Sequence, residues 1–133
     1  VIIFGIGRYG HTMAKILRQE GLSILGIDFD PQKIRQWKKE TLPARYGDAE
    51  DVEFMKSLPL QTARWIISTI PRHETNQILI SSLKENYYQG KIAISIFDPK
   101  EIESSQKMSA DLILLPYKDA AAKAAQRIMK SLL

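Results

Sequence analysis

Three glycines, Gly5, Gly7 and Gly10, stand in the spacing G-x-G-x-x-G directly after the apolar run Val1-Ile2-Ile3-Phe4. The chemistry of that spacing is phosphate binding by backbone. The first glycine permits a tight turn, the second lets the main chain approach a phosphate, and the third lets a following helix pack close to the strand. A helix starting there also offers unpaired N–H groups and a positive dipole end to an anion. Arg8 follows Gly7, with Tyr9 beside it. Its guanidinium can fold over a phosphate as a forked donor; the alternative is a solvated arginine. A cation at a helix start opposes the dipole, which makes more sense with an anion nearby.

Asp28 lies 18 residues past Gly10 and precedes Phe29. The fingerprint expects an acid there, about 20 residues on, to accept hydrogen bonds from ribose hydroxyls. A bare Asp repels a 2′-phosphate, so NADP is disfavoured. The plainer alternative for Asp28 is a loop carboxylate capping nearby amides. Asp48 can accept from an adenine amino group while Ala49 leaves space for the ring, or Asp48 can cap a short helix. Thr69, Ile70 and Arg72 close another apolar run, where Thr69 and Arg72 can reach a distal phosphate or a second nucleoside. Trp37 and Trp65 read as packing residues. No catalytic constellation stands beside these groups. His11 adjoins the phosphate turn, where an imidazole is not placed for hydride chemistry, and His73 is the only conceivable acid or base near the site. The expectation is a protein that binds a nucleotide without transforming it, not an enzyme. An NAD-dependent oxidoreductase fragment is the rival, and a nucleotide-free scaffold the third reading.

Composition narrows the rest. The chain has 133 residues and no cysteine, which excludes disulfides, Cys-ligated zinc and a thiol nucleophile. Its two histidines have no ligand spacing, so no metal is expected. The net charge of +4 is spread along the chain. The densest basic run, Lys33 to Lys39, reads as a solvated helix face, and no stripe with stacking aromatics points to nucleic acid. No apolar run approaches the ~18–20 residues needed to span a bilayer. The chain opens inside a core strand without an initiator Met or signal-peptide pattern, as expected of a segment from a longer protein.

The elements that must position these residues follow from the apolar pattern. A first helix runs from about Tyr9 to Glu20, with Met13, Ala14, Ile16 and Leu17 near one face and Gly21 as its stop. Ser23 to Asp28 is a second strand. Asp30-Pro31 caps and starts a second helix that buries Ile34 and Trp37. Pro43 to Tyr46 is a short third strand, and Gly47 to Asp51 leads into a short helix through Met55. Ala63 to Ile70 is a fourth strand, apolar enough to be covered on both faces. A fourth helix spans His73 to about Tyr88, with Ile78, Leu79 and Leu83 as its apolar residues and Gly90 ending the element. Lys91 to Ile96 is a fifth strand, Asp98-Pro99 starts a fifth helix to about Ser109, Asp111 to Leu115 is a sixth strand, and Asp119 to Leu133 is an Ala-rich last helix. Six strands alternating with six helices predict a single-domain α/β fold. It is a Rossmann-like, doubly wound, six-stranded parallel sheet ordered 3-2-1-4-5-6, with its ligand beyond the carboxyl ends of the strands.

The stretches Gly5-Ile6-Gly7-Arg8-Tyr9-Gly10, Gly26-Ile27-Asp28-Phe29-Asp30-Pro31, Tyr46-Gly47-Asp48-Ala49-Glu50-Asp51 and Ser68-Thr69-Ile70-Pro71 together resemble the TrkA-N domain, also called the KTN or RCK N-terminal domain. The overall pattern looks most like domains attached to Kef-type cation/proton antiporters or related potassium transporters. The resemblance implies a regulatory domain on the cytoplasmic side of a membrane transporter or channel. Such domains dimerise, bind AMP, ATP/ADP or NAD(H), and gate cation flow. By motif, Gly5, Gly7, Arg8, Gly10, Asp28, Asp48, Ala49 and Thr69 match the family's ligand positions. The implied homodimer surface covers the fourth and fifth helix region, roughly His73 to Gln106, and the last helix, where Ala120 to Ala125 suit close packing. The stretch Ile96-Phe97-Asp98 lacks the basic residues that some antiporter-linked members carry after the fifth strand, which weighs against glutathione-type regulation.

Overall fold

Ile2, Ile3 and Phe4 form β1 (Ile2–Phe4), buried along its whole length. It is central: a computed structural model of residues 1–133 places it in a six-stranded sheet ordered β3-β2-β1-β4-β5-β6, as expected. The other strands are β2 (Leu25–Asp28), β3 (Ala44–Tyr46), β4 (Trp65–Ser68), β5 (Lys91–Ser95) and β6 (Leu112–Leu114). All pairings are parallel, and β1 meets both β2 and β4, with Phe4 opposite Ile27 and Ser68. The order in which the chain adds strands reverses there, so a crevice opens between the loops that leave β1 and β4.

Alternation along β1 divides the core in two. Ile2 and Phe4 point into one apolar cluster, with Met55, Leu79 and Leu83, while Ile3 points into the other, with Ala14, Ile34 and Trp37. The second cluster lies under α1 (Arg8–Gln19) and α2 (Pro31–Lys39), the first under α3 (Val52–Lys56) and α4 (His73–Glu85). Burying the strands from both sides explains their continuous apolar character.

Local chemistry sets the boundaries. Asp30 caps α2, accepting from Gln32 N at 2.9 Å with Pro31 in the first turn. Three helices end in the same motif, in which two amides return to the last-turn carbonyls. Gly21 N donates to Arg18 O and Leu22 N to Leu17 O after α1; Thr41 and Leu42 repeat this after α2, and Tyr87 and Tyr88 after α4. Gly21 takes the left-handed conformation freely, but Thr41 and Tyr87 hold it at φ 60° and 56° without a glycine's freedom. The fourth helix therefore stops at Glu85, short of Tyr88, and Gly90 belongs to the loop before β5.

Three further expectations need correction. Ile16 and Ile78 face solvent rather than the core. The fifth helix is much shorter than Asp98 to Ser109: a 3-10 turn at Pro99–Glu101 leads into one turn of helix, α5 (Ile102–Ser105). The last helix, α6 (Pro116–Ser131), starts at the proline that ends β6, because Asp119 Oδ2 reaches back to accept from Leu115 N at 3.1 Å. None of its residues is buried.

Candidate functional site

Gly5 has φ +88°, and this turn aims its carbonyl at β4. There Thr69 Oγ1 donates to Gly5 O at 2.6 Å and lies 3.3 Å from Phe4 O, while Thr69 N donates to Phe4 O at 2.8 Å. Gly10 packs against the same point, and a Cβ on it would overlap the Gly5 carbonyl. Gly5, Gly10 and Thr69 therefore fix the shape of the turn. Gly7 caps α1 with no side-chain acceptor for the first-turn amides, which leaves them available to an anion.

Asp28 ends β2 and is 9% exposed. Its Oδ2 accepts from Ile6 N at 3.0 Å and its Oδ1 from Asp30 N at 2.9 Å. The amide-capping role is realised: this carboxylate ties the glycine turn to the start of α2. Each oxygen keeps further acceptor capacity, and Asp28 still borders the open cleft.

The β4–α4 loop is held by a buried polar knot. Ser68 Oγ donates to Asn76 Oδ1 at 2.5 Å, Ile70 N donates to Ser68 Oγ at 3.2 Å, and Asn76 Nδ2 donates to Ile70 O at 3.1 Å. Asn76 is 1% exposed, so the knot is sheltered from competing water. It presents Thr69, Ile70 and Arg72 to the cleft.

These loops enclose a cleft of about 990 Å³. Gly5, Gly7, Arg8 and Tyr9 form its floor and one rim, and Asp28, Phe29 and Lys33 form the β2 end. Thr69, Ile70 and Arg72 stand opposite, and Phe97, Pro116 and Tyr117 close the far side. The far side is aromatic: the Tyr9 and Phe97 rings meet edge to face at 6.2 Å, and Phe97 and Tyr117 at 6.3 Å. Burial, then the nearby Asp119 carboxylate, pushes the Tyr9 hydroxyl above its ordinary range. Three cations, Arg8, Lys33 and Arg72, ring the space with Asp28 and Asp30. The arrangement suits an elongated anion with a planar group at an end.

Two expected contributors lie elsewhere. Asp48 is exposed and turns its Oδ1 to Glu50 N at 2.9 Å, while the cap of α3 is Asp51, accepting from Glu53 N at 3.0 Å. Ala49 is 5% exposed and belongs to the core beside Met55. Neither lines the cleft, and Gly10 supports it only from behind. His11 pairs with Glu40 and tilts against Trp37 at 5.9 Å, away from the cleft wall. His73 is also outside that wall.

Lys33, Phe97, Tyr117 and Asn76 are missing from the sequence-based set. Phe97 and Tyr117 follow the fifth and sixth strands, so the rule that ligands meet strand carboxyl ends would have found them if extended across the whole sheet. Asn76 carries a weaker signal, a polar residue on the buried face of a helix.

A family model described as the TrkA-N domain matches residues 1–116. The Ktr system potassium uptake protein C of Bacillus subtilis (strain 168) is 26% identical over 129 residues, 97% of this chain but 58% of that protein. The chain thus spans little more than half of that relative. Among solved structures, the NAD(P)-binding domain of an exopolyphosphatase-related protein from Archaeoglobus fulgidus superposes with a TM-score of 0.84 at 22% identity, covering 97% of this chain and 96% of that one. The Kef C-terminal domain of Shewanella denitrificans, in its AMP-bound form, gives 0.79 at 19% identity, covering 98% and 79%. At such identities the two structures bear on the fold.

Proposed function

The chain belongs to the TrkA-N domain family, and from that premise we infer that it is a nucleotide-sensing regulatory domain of a potassium or other cation transport protein. The observation that carries the reading is the cleft at the switch point. A glycine turn locked by Thr69 faces free first-turn amides of α1, with cations from three elements around it. An adenine nucleotide fits this chemistry, its phosphates at Gly7 and Arg8 and its ribose hydroxyls on the remaining lone pairs of Asp28. AMP or NAD(H) is favoured, ATP or ADP is accommodated by the same features, and NADP is opposed by the Asp28 charge. The similar Kef domain was solved with AMP, and the Archaeoglobus domain is described as NAD(P)-binding.

The mechanism is a population shift without chemical change in the nucleotide. A ligand that favours one geometry of a homodimer biases the attached transport protein by its differential affinity. The first turn of α6 forms the far wall of the cleft, through Pro116 and Tyr117. Ligand contacts there act directly on an element none of whose residues is buried. The domain works on the cytoplasmic side of a membrane protein, and no helix of its own is long and apolar enough to cross a bilayer.

A thermal-shift panel of AMP, ADP, ATP, NAD, NADH and NADPH tests the reading. At ~100 times Kd, a ligand adds about 2.7 kcal/mol of stability, or several degrees in Tm for a domain of this size. AMP or NAD(H) should give the largest rise and NADPH the smallest. No shift with any of them would remove the sensing function, and turnover of NADH with a small carbonyl compound would replace it with an oxidoreductase.

A further inference from the structure

Lys33 departs from the solvated face that its neighbours occupy. Arg35, Lys38 and Lys39 are exposed, whereas Lys33 is partly buried and bends over the cleft. Its Nζ lies 3.9 Å from Asp28 Oδ2 and 3.5 Å from the point where a Cβ on Gly7 would stand. The ammonium is therefore suspended above the glycine turn, between the acid that ends β2 and the start of α1.

The position is electrostatically costly without an anion. A cation in the first turn of a helix opposes its dipole. The helices α3, α4, α5 and α6 each carry an acid in the first turn: Glu53, Glu74, Glu103 and Asp119. The helices that start at the glycine turn and at the end of β2, α1 and α2, have none there and carry Arg8 and Lys33 instead. Asp28 offsets Lys33 only in part, because the ammonium stands 3.9 Å from Oδ2, beyond hydrogen-bond distance. Two helix N-termini and two cations thus converge beside Asp28 and the capping carboxylate Asp30, which is already engaged with Gln32 N.

We propose that Lys33 is a specificity residue that reads the phosphate adjoining the ribose of a bound nucleotide, selecting 5′-phosphorylated nucleosides over nucleosides. This rests on the nucleotide-sensing reading above. The ribose engages Asp28, so the phosphate next to it falls between the Lys33 ammonium and the Arg8 guanidinium, over the free amides of α1. Arg72 stands across the cleft and serves the far end of a longer ligand. A phosphate on the ribose 2′-hydroxyl would instead press against the Asp28 carboxylate.

Titration calorimetry of the intact chain with AMP, adenosine, NADH and NADPH separates the outcomes. Lys33→Gln should weaken AMP and NADH by about tenfold, the low end for a hydrogen bond to a charged group at a half-exposed site. Adenosine should not weaken, Lys33→Arg should restore most of the loss, and the effect should shrink at high salt. Unchanged AMP affinity in Lys33→Gln overturns the proposal. So does an equal loss of AMP and adenosine, which would place Lys33 at the ribose or in the fold. A loss confined to NADPH also overturns it, by assigning Lys33 to a 2′-phosphate. If the unaltered chain binds none of the four, the nucleotide reading itself falls, a result distinct from any effect of the variant.

Discussion

Asp28 has a structural employment that a substitution aimed at its proposed ribose contact would confuse with binding. Its carboxylate accepts from Ile6 N and Asp30 N, so it braces the glycine turn by itself. Removing it strands two sheltered amides, each worth about 1.5–3 kcal/mol against a charged acceptor. Asp28→Ala should therefore lower the unfolding free energy by about 3 kcal/mol with no nucleotide present, read by urea denaturation. A loss below about 0.5 kcal/mol would show that these amides are satisfied otherwise and that Asp28 is free for the ribose alone. An affinity measured on this variant must be referred to its folded fraction. Thr69 is comparable: its hydroxyl donates to the Gly5 carbonyl, so its role in the proposed site is to set the shape of the turn.

At the scale of elements, the joint between α4 and β5 is pinned by Tyr88, whose hydroxyl donates to Ala63 O at 3.0 Å and lies 3.3 Å from Lys91 O. Burial, then the Asp111 charge, pushes this hydroxyl from its ordinary 10.0 up to about 12. Below pH 10 the folded and unfolded chains both keep the proton, and its stabilising effect is complete. Between about 10 and 12 the unfolded chain releases the proton while the folded one retains it, so stability falls as pH rises. Denaturation midpoints measured across that window should drop. Tyr88→Phe should start less stable at pH 8 and fall less steeply; parallel curves would show that Tyr88 titrates normally. The elements themselves were legible because apolar runs, Asp-Pro starts and the glycine turn agree with one another along the chain. Boundaries were less so where cap chemistry overrides propensity. Tyr87 replaces the expected glycine, and Asp119 pulls the start of α6 back to Pro116. The near half of the cleft was legible for the same reason, since Ile2 to Asp28 form one local βαβ unit. Phe97 and Tyr117 reach the cleft only through the pairing of β5 and β6, and Asp48-Ala49 bends away through an Asx turn and a core contact that no spacing announces.

The molecule as a whole is a closed α/β body with one element outside its core. The family match ends at residue 116, where α6 begins. From Tyr117 to Leu133 every residue is exposed, including Ile128, Met129 and Leu132. An isolated helix of such length is marginal in water, because nucleation is costly and few residues propagate it. In the homodimer of the proposed function a second copy would supply the missing surface, with Ala120 to Ala125 permitting close approach. Deleting residues 118–133 should therefore leave the monomer's sheet and its urea midpoint nearly unchanged, while sedimentation velocity shifts from dimer to monomer. Ile128→Glu with Met129→Glu should give the same dissociation without shortening the chain. A truncated chain that still sediments as a dimer would move the interface to the α4–α5 side. A truncated chain that unfolds would mean that α6 stabilises the core through contacts its exposure does not reveal.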